Sequence, residues 1–280
     1  MKDQAEKLRE LVSRVETPKI GGARAIAVVS GKGGVGKSSV SVFLAKSLAA
    51  RGKKVLIFDG DLGLANLHIL LGILPKGTLS QCLKNECKID AVVHNIAQNI
   101  DLIPGGSGDI STNSNLSRVL SDLANLSHNY DYLIIDGGAG IADNTIRLAV
   151  SASEVILVMT PDPTSLTDAY AMLKVLHSRK QENVSLLINI AQSENEVEAA
   201  KGKLFMLSEK FINFTPKFLG YLPQSKKLTP FFRESLDVLT QQVGDFSAKI
   251  NAIAAKIDGE KPAENINFFA KFGQIVRGKL

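Results

Sequence analysis

Ser30-Gly31-Lys32-Gly33-Gly34-Val35-Gly36-Lys37-Ser38-Ser39 is the stretch that decides the fold. An apolar run at 25–29 precedes it and a helical pattern over 38–50 follows, so the order is strand, glycine loop, helix. Glycine at 31, 33, 34 and 36 lets the backbone turn with no Cβ in the way. The N–H groups of Gly33, Gly34, Val35, Gly36, Lys37, Ser38 and Ser39 can then converge on phosphate oxygens at a helix N-terminus. Lys37 would reach the β- and γ-phosphates, and the Ser38 hydroxyl would ligate Mg²⁺. Lys32 is a second cation, one residue after the first glycine, where the loop amides already serve the phosphates. It is either a solvated loop lysine or a group that serves another subunit.

Acids close two apolar strands further along. The strand at 53–58 ends in Asp59-Gly60-Asp61, and the apolar run 132–135 is closed by Asp136. Carboxylates at the C-terminal ends of buried strands face the side on which α/β sheets bind ligands. Asp59 and Asp136 would hold magnesium and its water shell, and Asp61 would sit near an attacking water. Gly137 to Gly140 follow as a segment able to respond to a γ-phosphate. Strands at 99–104, 154–159, 184–188 and 218–223 alternate with helical patterns at 116–126, 165–179, 228–234 and 239–257. The expected class is α/β, with a mostly parallel sheet covered by helices on both faces. Residues 75–98 read as a helix-and-turn insertion without a clear role.

Two terminal stretches flank the domain expected at 23–257. Residues 3–15 carry Ala5, Leu8, Leu11, Val12 and Val15 on one side, the pattern of a short amphipathic helix that needs a partner. Residues 1–22 thus form a helix and linker. At the other end, residues 258–280 read as a linker and a helix whose Ile266, Phe268, Phe269, Phe272, Ile275, Val276 and Leu280 cover about half the circumference. Lys271 and Arg277 stand at its margins. From 261 to 280 four basic residues face one acidic residue. Such a helix either lies in a membrane interface or folds back on the sheet.

The 280 residues are 45% hydrophobic, enough for one full core. The net charge of +5 permits contact with anionic lipid or nucleic acid without demanding either. No apolar run is long enough to span a bilayer and no apolar signal core opens the chain, so a cytoplasmic protein is expected. Cys82 and Cys87 read as ordinary reduced thiols, and the four histidines as structural.

The run Lys32-Gly33-Gly34-Val35-Gly36-Lys37-Ser38 resembles the deviant Walker A motif of the MinD/ParA family. The resemblance implies an ATP- and Mg²⁺-dependent ATPase that forms a homodimer, with Lys32 crossing to the partner's ATP and slow turnover. Leu62-Gly63-Leu64-Ala65-Asn66-Leu67-His68 resembles the family's first switch, with His68 where relatives commonly have an acid. By the same resemblance Asn189 pairs with the adenine edge, Pro223 packs on the base, and the C-terminal helix docks on the inner membrane face. Asp3-Gln4-Ala5, followed by Leu8 and Arg9, resembles the N-terminal motif of the FlhG/FleN-type flagellar-number regulators. There the segment stimulates the FlhF-type GTPase, with the residue equivalent to Gln4 entering its active site. Flagellar basal-body or transcriptional partners are further expectations. Division-site selection, DNA partitioning and a nucleotide-gated scaffold with little hydrolysis are the alternatives; the Phe-rich tail argues against DNA.

Overall fold

The structure, a computed structural model, describes residues 22–61, 67–106, 115–225, 244–260 and 267–278. Its centre is strand β1 (Arg24–Ser30), every residue of which is buried. β1 lies between β5 (Tyr132–Ala139) and β6 (Glu154–Met159), parallel to both. A strand enclosed on both edges and both faces reads as an unbroken apolar run, as Ala-Ile-Ala-Val-Val does here. β2 (Val55–Gly60), β3 (His94–Ala97), β4 (Ile100–Ile103), β7 (Val184–Ala191) and β8 (Lys217–Pro223) complete an eight-stranded sheet of order β3-β4-β2-β5-β1-β6-β7-β8. All neighbours are parallel except β3 with β4. The register sets Asp59 of β2 directly beside Asp136 of β5, which fixes the acid cluster.

Helices cover both faces, as expected. On one side α1 (Lys37–Ala49) packs between the sheet and a long helix, Gly244–Gly259, near the C-terminus. Phe43 meets Phe246 there edge to face, with ring centroids 5.0 Å apart. The short helices α2 (Leu67–Leu70) and α3 (Leu79–Leu83) follow β2. The other face carries α3, α4 (Leu116–Ser127), α5 (Asp143–Ser151), α6 (Pro163–Ser178) and α7 (Glu194–Ile212). The Gly244–Gly259 helix is α8, and α9 (Phe268–Val276) is the last.

Four differences from the sequence expectations have physical causes. β3 emerges from the supposed insertion as a four-residue antiparallel edge strand, too short to show alternation. α7 has no counterpart among the expected elements, because it buries only a narrow stripe at Val197, Ala200, Leu204 and Ser208. Asp258 and Gly259, read as linker, belong to α8, and Asp258 is held by Arg51, Lys53 and Tyr132. The fourth concerns α9. The helix expected to present its apolar face to a membrane has that face buried, with Phe268, Phe269 and Phe272 at most 2% exposed. It docks on α4 and α5, its N-cap Asn267 bonded to Ala124 O and Ser127 Oγ. Phe269 meets Phe58 edge to face at 5.7 Å. Gly273 lets this happen, since a Cβ there would already stand 3.2 Å from Leu120 Cδ1. Lys271 and Val276 are half-buried and Arg277 is exposed, while Ile266, Leu280 and the helix expected at 228–234 lie outside the described residues.

Candidate nucleotide site

The glycine loop leaves β1 at Ser30, whose hydroxyl donates to Lys32 O at 2.6 Å, and enters α1 through Gly36 in the left-handed region at φ 84°. Two close approaches hold the loop. A Cβ on Gly31 would fall 2.1 Å from the Asp168 carbonyl of α6, and one on Gly36 would fall 2.4 Å from Asn189 Nδ2. Only glycine fits at either position. Asn189 donates at 2.8 Å to Val35 O, so the structure uses it to brace the loop from β7. Pro223 pairs with Ala191 across β7 and β8, on the same side. Gly33 and Gly34 are exposed and Ser38 and Ser39 half-exposed, so the loop and the start of α1 are open to solvent there. An uncapped helix start with a positive dipole end suits an anion.

Behind the loop stands a cluster of opposing charges. Lys37 is buried, and burial lowers its pKa against the pull of Asp136 and Asp61. Burial and the neighbouring Asp136 raise Asp59 to about 7. Asp136 is raised to about 6, again by burial, although hydrogen bonds from Ser38 and Ser41 hold it down. The Ser41 bond is 2.9 Å long. Two buried carboxylates side by side, each made harder to ionise, form a site that a divalent cation would relieve. Ser38, Asp59 and Asp136 therefore fit the magnesium expected of them.

Asp59 has a second task. Its oxygens accept from Asp61 N and Leu67 N, each at 3.2 Å, and so tie the two ends of the 61–67 segment to β2. The Asp61 carboxyl faces Gly138, where a Cβ would stand 3.8 Å from its Cγ. Gly140 N donates to Ser30 O at 3.0 Å, which closes the segment after β5 onto the glycine loop. Of the 137–140 segment expected to respond to a γ-phosphate, Gly137, Gly138 and Ala139 lie within β5 and Gly140 follows it.

Lys32 does not point at its own loop. Its Nζ bonds Asp162 Oδ1 at 3.0 Å and Thr164 Oγ1 at 2.7 Å, at the N-terminus of α6. Burial works against the Asp162 charge. Hydrogen bonds from Thr160, Thr164, the Ser165 amide and Lys32 nevertheless hold its carboxyl well below the usual carboxylate range. Asp162 caps α6 at Ser165 N, with Pro163 as the first helical residue. The sequence reading missed Asp162, Thr164 and Ser41. Asp-Pro before a helix was visible as a cap, but nothing local says which lysine it receives. Ser41 was findable, lying on the same helical face as Ser38. Asp3, Gln4, Leu8 and Arg9 lie outside the described residues.

Residues 22–258 match the ParA family, described as NUBPL iron-transfer P-loop NTPase. Over 259 residues the chain is 33% identical to the antiactivator FleN of Pseudomonas aeruginosa, covering 88% of this chain and 91% of FleN. It is 34% identical over 290 aligned positions to the flagellum site-determining protein YlxH of Helicobacter pylori, covering 97% and 98%. Among solved structures, MinD in the MinC:MinD complex of Aquifex aeolicus superimposes with a TM-score of 0.71 at 25% identity, over 85% of this chain and 97% of that one. MinD of Pyrococcus horikoshii, complexed with Mg-ADP, gives 0.67 at 26% identity, over 85% and 96%.

Proposed function

This chain belongs to the ParA family of P-loop NTPases, and within it we propose a Mg²⁺-dependent ATPase that dimerises on ATP and regulates flagellar number or placement. The observation that carries the nucleotide chemistry is the buried acid pair Asp59 and Asp136, set beside Lys37 and Ser38 behind an open glycine loop. Bound nucleotide and magnesium would supply the phosphoryl group and its counter-charge. Lys37 and the loop amides hold the phosphates, Ser38 and the two carboxylates hold the metal and its waters, and Asp61 orients water opposite Gly138. Lys32 is the group we assign to the second subunit's phosphates; leaving Asp162 exchanges one anion for another. Stimulation of an FlhF-type GTPase by residues 3–15 and reversible binding of the α9 segment to anionic lipid belong to the same reading. Among the described residues no helix is long and apolar enough to cross a membrane.

ATP hydrolysis and oligomeric state of the Lys37→Ala and Asp61→Ala proteins test the ATPase. Lys37→Ala should stay monomeric and inactive, whereas Asp61→Ala should accumulate as an ATP-bound dimer. Equal activity of both with the parent refutes the roles given to them. GTP hydrolysis by an FlhF-type GTPase tests the flagellar assignment, using the full chain, the chain without residues 1–17 and Gln4→Ala. Stimulation by the full chain alone supports it. No stimulation by the full chain leaves the ATP switch in place and favours the division-site reading.

A further inference from the structure

Cys82 and Cys87 take no part in the nucleotide chemistry, yet the fold brings them together. Their sulfurs stand 3.0 Å apart, against about 2.04 Å in a disulfide. The contact follows from how α3 ends. Asn85 adopts the left-handed conformation at φ 65°, and its N–H donates to Cys82 O at 3.0 Å. The Glu86 N–H donates to Gln81 O at 2.9 Å. These two bonds form a Schellman turn, which sends the chain back along the helix it has just left. Cys87 is the first residue after that turn and lands on Cys82, one residue inside the helix end.

The two thiols sit in unlike surroundings. Cys82 is 1% exposed among the core side chains, and Arg118 donates to its carbonyl. Cys87 is half-buried, and Lys84, Asn85, Glu86 and Lys88 around it are all exposed. Burial and the Cys87 thiol push Cys82 up to about 12, so it holds its proton. The outer sulfur is then the one that meets a reagent, and the inner one waits behind it.

We infer that Cys82 and Cys87 are a peroxide-sensitive dithiol–disulfide pair, with Cys87 as the attacking thiol and Cys82 as the resolving one. In the first step the Cys87 thiolate attacks a peroxide oxygen. The O–O bond breaks, water leaves after protonation, and Cys87 carries a sulfenic acid. In the second step the Cys82 sulfur attacks the Cys87 sulfur. The S–O bond breaks, the hydroxide takes the Cys82 proton, and a second water leaves. Two thiols lose two electrons, and one peroxide is reduced to two waters. A small dithiol reverses the change by exchange.

The closed pair would lock the end of α3, which is joined to the nucleotide half of the sheet. Leu79 N and Ser80 N donate to Pro104 O and Gly105 O just beyond β4, and β4 is the direct neighbour of β2, which carries Asp59.

Peptide mapping of the full chain tests the inference. Trypsin cuts at Lys84, between the two cysteines, so the reduced and alkylated protein yields peptides 77–84 and 85–88 separately. After hydrogen peroxide and then alkylation, the two should appear as one disulfide-linked species that dithiothreitol separates. In Cys87→Ser, Cys82 should remain fully alkylatable at the same peroxide dose. Recovery of both wild-type peptides unlinked, or linkage only between two chains, overturns the pairing. Oxidation of Cys82 in Cys87→Ser at the wild-type rate overturns the assigned order of attack.

Discussion

Phe269→Ala is the sharpest probe of where the C-terminal helix rests. The ring is 1% exposed, meets Phe58 at 5.7 Å and Phe268 at 5.0 Å, both edge to face, and lies within the larger core cluster. A buried phenylalanine covers about 150–250 Å² of apolar surface, which at about 25 cal/mol per Å² is about 4–6 kcal/mol of transfer free energy. The alanine that remains keeps a small part of this, so a loss of about 3–5 kcal/mol is expected. Urea unfolding followed by circular dichroism reads the effect as a lowered midpoint at unchanged slope. Unfolding of the whole domain reports it, because Phe58 belongs to β2, an interior strand of the sheet. A change below about 0.5 kcal/mol, the size expected for an exposed substitution, refutes the docked helix. A two-step transition with a normal second midpoint would show that α9 detaches as a separate unit.

Three other perturbations test the site and its frame. Asp59 and Asp136 are raised to about 7 and about 6, so without metal the folded chain holds protons that the unfolded chain has lost. The stability they contribute falls as pH rises from about 4 to about 7. Magnesium displaces those protons, and its affinity in the nucleotide complex should rise by up to about tenfold per pH unit between about pH 6 and 7, where one proton leaves, and by up to about a hundredfold per unit below about pH 6, where two leave; a pH-independent affinity by calorimetry refutes the coupling. Gly36→Ala places a Cβ 2.4 Å from Asn189 Nδ2 on a residue at φ 84°. The expected cost is about 1–3 kcal/mol of stability with at least tenfold weaker binding of a fluorescent nucleotide, and unaltered binding contradicts the Asn189 brace. Arg24→Met removes a buried guanidinium that holds Glu154 at 2.9 Å and the carbonyls of Ile257 and Glu260. Leaving Glu154 buried and unpaired should cost about 3–5 kcal/mol in urea unfolding, and adding Glu154→Gln should recover part of it.

The sequence is legible where function and local geometry coincide. The glycine spacing, Lys37, Ser38 and the acids closing two apolar runs all lie in places that can be read without knowing the fold, because a strand end beside a phosphate loop leaves little choice. What could not be read is long-range partner choice. Lys32 finds Asp162 and Thr164 some 130 residues away, and no periodicity encodes that meeting. The Asn189 side chain was expected at a base edge, and its bond to Val35 O depends on β7 lying beneath the loop. α7 escaped because four buried positions in nineteen residues give a faint pattern. The tail shows another kind of ambiguity: an apolar face states that it needs a partner and does not say whether the partner is lipid or the chain's own core.

Lys32 and α9 are each satisfied by the chain's own groups, while their proposed partners are a second subunit's phosphate and a lipid surface. The two contacts differ greatly in what it takes to exchange them. The Lys32 and Asp162 side chains are 32% and 44% exposed, and an ion pair so open to solvent is worth about 0–1 kcal/mol. A nucleotide phosphate can displace Asp162 at little cost. α9 is held by three buried phenylalanines, and moving it from almost always docked to almost always free needs a differential affinity of about 5.5 kcal/mol or more. In the proposed reading lipid must supply that unless the nucleotide site helps, and α9 meets the frame of that site twice: Phe269 touches Phe58, the residue before Asp59, and a second contact lies at its C-terminal end. The carbonyls of Ile275 and Val276 at the end of α9 accept from Arg147 Nη1 at 3.1 and 3.4 Å. Arg147 belongs to α5, which begins three residues after Gly140, and Gly140 is bonded to the strand that opens the glycine loop. A shift of Gly140 toward a γ-phosphate would move α5 beneath the docked helix. The undocking that the proposed lipid binding requires would then be coupled to ATP through α5 as well as through the Phe58–Phe269 contact beside Asp59.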